Sequence, residues 1–225
     1  HPETPIDLHT AMTQNEQQDA VAALLARGPV VPVIVIEDLA DAVPLARALV
    51  AGGLDVLEVT LRTPAALDAV RSIRDAVPEA IVGVGTVLSR EQLDAAHAAG
   101  ARFAVSPGVT DRLLDALADH PVPLLPGAAT VSEVMRLRER GFLHQKFFPA
   151  EASGGAKFLA AIGSVIQDVR FCPTGGVTPG NASGYLSLGN VVCVGGSWMI
   201  PRDAIRAGDW SAITALAAEA SRIGR

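Results

Sequence analysis

A chain of 225 residues, 49% of them hydrophobic, can bury one sizeable core, and its apolar runs are strand-length and broken by Gly, Pro or charge, which excludes a membrane-spanning helix. A formal charge of −6 without a basic run argues against nucleic acid as the main partner. Cys172 and Cys193 both lie in apolar strand-like runs. That is the pattern of buried, reduced thiols in a cytoplasmic protein, with a bridge between them left open.

The opening HPETPIDLHT has no apolar signal-peptide core. Residues 1–14 are expected to form a disordered or appended tail, which leaves His1 and His9 without a role. A first helix is expected over about 15–27, stopped by Gly28-Pro29. Strand candidates follow at Val30–Ile36, Val56–Leu61, Ala80–Val87, Phe103–Ser106, Pro123–Pro126, Phe142–Phe148, Val169–Pro173 and Val191–Gly195. Helical patterns alternate with them near 38–51, 64–76, 89–99, 110–118, 130–140, 155–162 and 179–187, and a last one falls near 210–222. No long linker or charge block interrupts this alternation, so residues 15–225 read as one parallel α/β domain.

Two parallel architectures compete. The dinucleotide fingerprint fails, because Gly83-Val84-Gly85 is followed by Leu88 where a third glycine belongs, and no phosphate-loop Gly-Lys-Ser/Thr occurs. Eight βα units in this length fit a (β/α)₈ TIM barrel with an extra N-terminal helix. The second strand supports that choice. Leu57, Val59 and Leu61 share one face, while Glu58, Thr60 and Arg62 share the other. An acid and a guanidinium are costly in a packed core but can face water and substrate at a barrel mouth.

Of the 18 basic residues, only Lys146 and Lys157 are lysines, and Lys146 sits inside the apolar run HQKFFP. Arginine stays charged, whereas a desolvated lysine can shed its proton and attack a carbonyl. Apolar walls such as Phe148 and a nearby cation such as Arg62 would both push its pKa down. Glu58 is the acidic candidate that points inward at a strand's C-terminal end, and so the candidate general acid/base. Arg62 can clamp a carboxylate with two parallel hydrogen bonds, and the Thr86 hydroxyl can add another. An ordinary ion pair closing the barrel top is the plainer account of Glu58 and Arg62, and structural roles account equally for Thr86 and Thr174.

Two glycine turns form a second constellation. Thr174-Gly175-Gly176 follows the seventh strand and Gly195-Gly196-Ser197 the eighth, the two loops that favour phosphate in barrels. No His/Cys/Asp/Glu cluster has metal-ligand spacing. His97 and His120 are expected to face solvent, His144 to pack low in the barrel, and Trp198 and Met199 to pack beneath the last helices.

The stretches VLEVTLRT (56–63), VGVGTVL (82–88), SPGVT (106–110), KFFPAE (146–151), RFCPTGG (170–176) and VGGSW (194–198) closely resemble the bacterial 2-keto-3-deoxy-6-phosphogluconate (KDPG) aldolases, which often also act on 4-hydroxy-2-oxoglutarate (KHG). The resemblance implies a (β/α)₈ barrel, usually a homotrimer, without a metal or organic cofactor, working on a small phosphorylated keto acid. It puts the Schiff-base lysine on Lys146, the acid/base on Glu58 and the carboxylate contacts on Arg62 and Thr86. Thr174 then lies beside the keto acid, Phe148 forms the aromatic wall, and Gly175, Gly176, Gly196 and Ser197 contact phosphate. Gln145, where relatives carry an apolar residue, and PGAAT (126–130), in place of the commoner PGIST, depart from the family pattern without removing a catalytic group. The residues alone also admit a phosphosugar isomerase or epimerase on the same barrel, or a non-catalytic assembly scaffold.

Overall fold

Residues 12–118 and 120–224 are described by a computed structural model, in which strands and helices alternate along the chain. The strands are β1 (Val30–Ile34), β2 (Val56–Thr60), β3 (Ile81–Gly85), β4 (Ala104–Val105), β5 (Leu124–Leu125), β6 (Gly127–Ala128), β7 (His144–Phe147), β8 (Arg170–Pro173) and β9 (Val194–Gly196). Helix α1 (Gln14–Leu25) precedes them, and α2 (Ala42–Ala51), α3 (Ala66–Ala76), α4 (Arg90–Ala99), α5 (Asp111–Asp115), α6 (Val131–Glu139), α7 (Gly155–Val165) and α8 (Pro179–Leu186) connect them. Two helices, α9 (Arg202–Ala207) and α10 (Trp210–Ala220), follow β9. Among the described residues no helix is long and apolar enough to cross a membrane.

All ladder pairs are parallel, in the orders β5-β4-β3-β2-β1-β9 and β6-β7-β8. Bridges between Phe171 and Val191 and between Thr174 and Gly195 join the second stretch back to the first. The chain itself joins β5 to β6 through Pro126. The expected strand Pro123–Pro126 is therefore two short pieces of one barrel strand. Proline has no N–H to give the ladder, though the Pro126 carbonyl still accepts the Lys146 N–H at 2.8 Å.

Alternation along the strands divides the core in two. Outward side chains such as Ile34, Leu57, Val59, Val84 and Phe147 pack with the helices. Each such burial contributes on the order of 1.5–3 kcal/mol. Inward Val31, Val56, Phe103, Val105 and Leu125 pack against Val21 and Leu25 of α1, which closes the barrel floor. Thr13 and Glu16 start α1 with a reciprocal capping box. Gln17 Nε2 donates to the Leu117 carbonyl at 3.0 Å, and Gln18 Oε1 accepts the N–H groups of Leu143 and His144 at 2.8 and 3.1 Å. The expected tail at 1–14 lies outside the described residues up to residue 11, while Thr13 and Gln14 are the cap and first residue of α1.

Histidine placement differs from expectation at His120 and, less sharply, at His97. His120 is not a solvent-facing residue but is 2% exposed. Its Nδ1 accepts the Val122 N–H at 3.1 Å and its Nε2 lies 3.4 Å from Asp94. Burial first, and then Arg90, hold its pKa below the ordinary value. A loop histidine whose ring nitrogen substitutes for a backbone acceptor folds inward, a pairing that hydropathy patterns do not reveal. His97 is half-buried, its ring edge-on to His120. His144 begins β7 at the floor, as expected, and its pKa is lowered by burial and by Arg170.

Candidate active site

Counting round the ring, β2 and β7 stand diametrically opposite. Glu58 enters from β2, in register with Val33 and Gly83, and Lys146 from β7, in register with Gly127 and Cys172. They meet inside the barrel, with Lys146 Nζ 3.5 Å from Glu58 Oε1. Lys146 is 6% exposed and Glu58 4%. The Phe148 ring lies 5.1 Å from the amine. Burying an opposed charge pair costs several kcal/mol of desolvation per ion, so this pair is weak evidence of stabilisation and stronger evidence of use.

Glycines make the meeting possible. A Cβ on Gly85 would fall 2.0 Å from Glu58 Oε1, and one on Gly83 would fall 2.5 Å from the Phe103 ring. The Gly-Val-Gly of β3 is therefore an inward groove cut for a carboxylate and an aromatic ring. Gly195 does the same for Thr174, whose Oγ1 would lie 2.3 Å from a Cβ there.

Arg62 stands at the exit of β2 as an exposed side chain, and among the described residues it makes no ion pair with Glu58. The pair closing this part of the barrel is thus Glu58 with Lys146, not Glu58 with Arg62. Arg62 and Ser197 share a mouth cavity of about 550 Å³ with Val33, Val35 and Ile200, rimmed by Glu37, Asp38, Arg202 and Arg206. Thr86 has φ of +61°, the left-handed region that β-branched residues avoid. This turn breaks the strand alternation that would otherwise send the residue outward, and leaves it half-exposed at the exit of β3. Thr174 is buried and bridges to Gly195, and the turns Gly175-Gly176 and Gly196-Ser197 lie beside each other at the ends of β8 and β9. Gly175 and Gly176 have φ of +99° and +77°. Cys172 and Cys193 are buried free thiols, and a hydrogen bond to Cys172, burial and the Glu58 charge push the Cys193 pKa well up. Trp198 packs over Gly196, and Met199 is fully buried.

Comparison with known proteins places this geometry. The model of the aldolase family described as KDPG and KHG aldolase matches residues 21–216. This chain belongs to the KDPG and KHG aldolase family. A KHG/KDPG aldolase of Escherichia coli K12 is 57% identical over 198 residues, covering 88% of this chain and 93% of the relative. Among solved structures, a KDPG aldolase from Legionella pneumophila, with pyruvate captured as a covalent carbinolamine, is 51% identical with a TM-score of 0.86, covering 88% of this chain and 97% of that one. A KDPG aldolase of Zymomonas mobilis ZM4 with 3-phosphoglycerate is 50% identical with a TM-score of 0.87, covering 92% and 98%. The family's barrel and the barrel described above agree.

Some residues that shape this region were not legible in the sequence. Gly85 and Gly195 carry no chemistry, and only the strand pairing shows what they admit. Glu151 and Tyr185, which join the β7 exit to helix α8, stand 34 residues apart.

Proposed function

We propose that this protein is a class I aldolase that cleaves 2-dehydro-3-deoxy-6-phosphogluconate to pyruvate and glyceraldehyde 3-phosphate, and also acts on 4-hydroxy-2-oxoglutarate. The observation that carries the reading is a buried lysine amine 3.5 Å from a buried glutamate inside a closed-floored barrel. Within such a pair the proton can pass to the carboxylate, leaving a neutral amine beside a general acid.

Lys146 Nζ attacks the C2 carbonyl carbon, and the oxygen takes a proton to give a carbinolamine. Glu58 delivers a proton to the departing hydroxyl, water leaves, and an iminium forms. Glu58, through a water, then takes the proton of the C4 hydroxyl. The C3–C4 bond breaks, its electron pair moves into the iminium to make an enamine, and C4 leaves as the aldehyde. Protonation of the enamine at C3 and hydrolysis of the new iminium release pyruvate and free Lys146. Arg62 and Thr86 hold the keto-acid carboxylate, Thr174 lies beside the bound keto acid, and Phe148 walls the amine. Gly175, Gly176, Gly196 and Ser197 offer backbone N–H groups and a hydroxyl to the phosphate.

An isomerase on this barrel would need Glu58 as base but has no use for an amine buried against it. A scaffold without catalysis needs neither. The protein is further read as a cytoplasmic homotrimer, a reading supported by the family likeness. Steady-state cleavage, followed by pyruvate release, tests the lyase reading. Lys146→Ala should lose essentially all turnover while keeping its fold, and wild-type turnover in that variant would end the mechanism.

A further inference from the structure

The turn Thr174-Gly175-Gly176 is flanked by a pair that the chemistry above does not use. The Ala150 N–H donates to the Thr174 carbonyl at 2.8 Å, and the Glu151 N–H to the Gly175 carbonyl at 3.1 Å. The β7 exit and the turn are thus laced backbone to backbone. Glu151, an exposed residue, packs against Gly176, where a Cβ would lie 2.6 Å from its Cγ and 2.7 Å from its Cβ. Gly176 is in the left-handed region, so two separate constraints require glycine there. The Glu151 carboxylate accepts a hydrogen bond from the Tyr185 hydroxyl. Tyr185 is 1% exposed and sits in α8, the helix that the turn leads into. Gly155 closes over both, with a Cβ position 3.2 Å from Glu151 Oε1 and 3.3 Å from the Tyr185 hydroxyl. Burial and the carboxylate both raise the Tyr185 pKa, so the phenol remains a donor throughout the neutral range. On the far side, Asn181 Nδ2 donates to the Gly176 carbonyl at 3.0 Å. Carbonyls of the turn are therefore tied down, while among the described residues the N–H groups of Gly175 and Gly176 have no acceptor.

We propose that Glu151 and Tyr185 are a positioning pair that fixes the Gly175-Gly176 turn for the phosphate end of the substrate, acting on recognition and not on the reacting carbons. This rests on the reading of that turn as a phosphate contact given above. A side chain from the β7 exit that packs against this turn acts by setting the turn's position, and an error of about 1 Å in such a group costs up to about 100-fold.

The test compares the phosphorylated sugar acid with the same acid lacking its phosphate, in wild type, Tyr185→Phe, Glu151→Leu and Glu151→Gln. Tyr185→Phe keeps the ring and loses the hydrogen bond. Glu151→Gln keeps an oxygen acceptor and serves as the conservative rescue. Expected is a rise in KM for the phosphorylated acid of about tenfold or more in Tyr185→Phe and Glu151→Leu, with Glu151→Gln close to wild type. Cleavage of the unphosphorylated acid, and trapping of pyruvate on Lys146 by borohydride, should change by less than about twofold. Equal losses on both substrates, or no change on either in variants that keep their melting temperature, would overturn the positioning role alone. If wild type itself shows no preference for the phosphorylated acid, the phosphate reading falls, and the proposal with it.

Discussion

Replacing Gly85 with alanine puts a methyl group where the Glu58 carboxylate now lies. The new Cβ would stand 2.0 Å from Oε1, 2.8 Å from Cδ and 2.9 Å from Cγ of Glu58. Ordinary carbon contacts begin near 3.5 Å, so the carboxylate must retreat by roughly 1.5 Å. Glu58 is 4% exposed and its side chain has little free space. Any retreat changes the 3.5 Å approach to Lys146 Nζ. Misplacement on this scale costs on the order of 100-fold, and complete loss of a general acid/base about 10²–10⁴-fold. Gly85 is not in the left-handed region, so alanine adds no backbone strain. Overpacking should cost about 1–3 kcal/mol in stability. The assay is kcat for sugar-acid cleavage, read as pyruvate formed, alongside thermal melting. A kcat at least about 100-fold down in a folded variant is expected. A folded Gly85→Ala enzyme within about threefold of wild type would refute the claim that Glu58 works from this position.

Other outcomes follow from the same geometry. Arg62→Lys keeps the charge but loses the two-pronged grip, so KM for the keto acid should rise about tenfold with kcat less affected; an unchanged KM would remove Arg62 from carboxylate binding. His120 is held below its ordinary pKa of 6.5 by burial and Arg90. The folded state therefore takes up that proton less readily than the unfolded one. The stability that this neutral, buried ring contributes is complete above pH 6.5 and is lost as the pH falls below it. His120→Asn keeps an acceptor for the Val122 N–H and should flatten the fall of Tm between about pH 7 and 5. An identical slope in both proteins would contradict this, although His144 adds a fall of the same sign.

The strands announced themselves because both barrel faces are apolar over most of their length, and the mouth did so because Glu58 and Arg62 interrupt that pattern on one parity. Lys146 stands out because the chain holds one other lysine, Lys157, and otherwise uses arginine. By sequence Pro126 ends a strand, whereas in the structure it divides one, because periodicity does not register a missing N–H. Helix α9 has six residues and buries none, so it leaves no apolar stripe to read. The inward glycines were invisible for the opposite reason. What Gly83 and Gly85 do is decided by Phe103 and by Glu58 on neighbouring strands, and pairing register is not written locally. His120 turned inward through a bond to a backbone N–H two residues away, which overrides its polarity.

Sodium borohydride added to the enzyme with pyruvate, followed by proteolysis and mass spectrometry, reads the central claim at the atom concerned. Reduction should leave a stable pyruvate adduct on the peptide containing Lys146, with Lys157 unmodified and activity lost in proportion to labelling. Activity that survives full reduction, or an adduct that maps elsewhere, would contradict an amine nucleophile in the barrel.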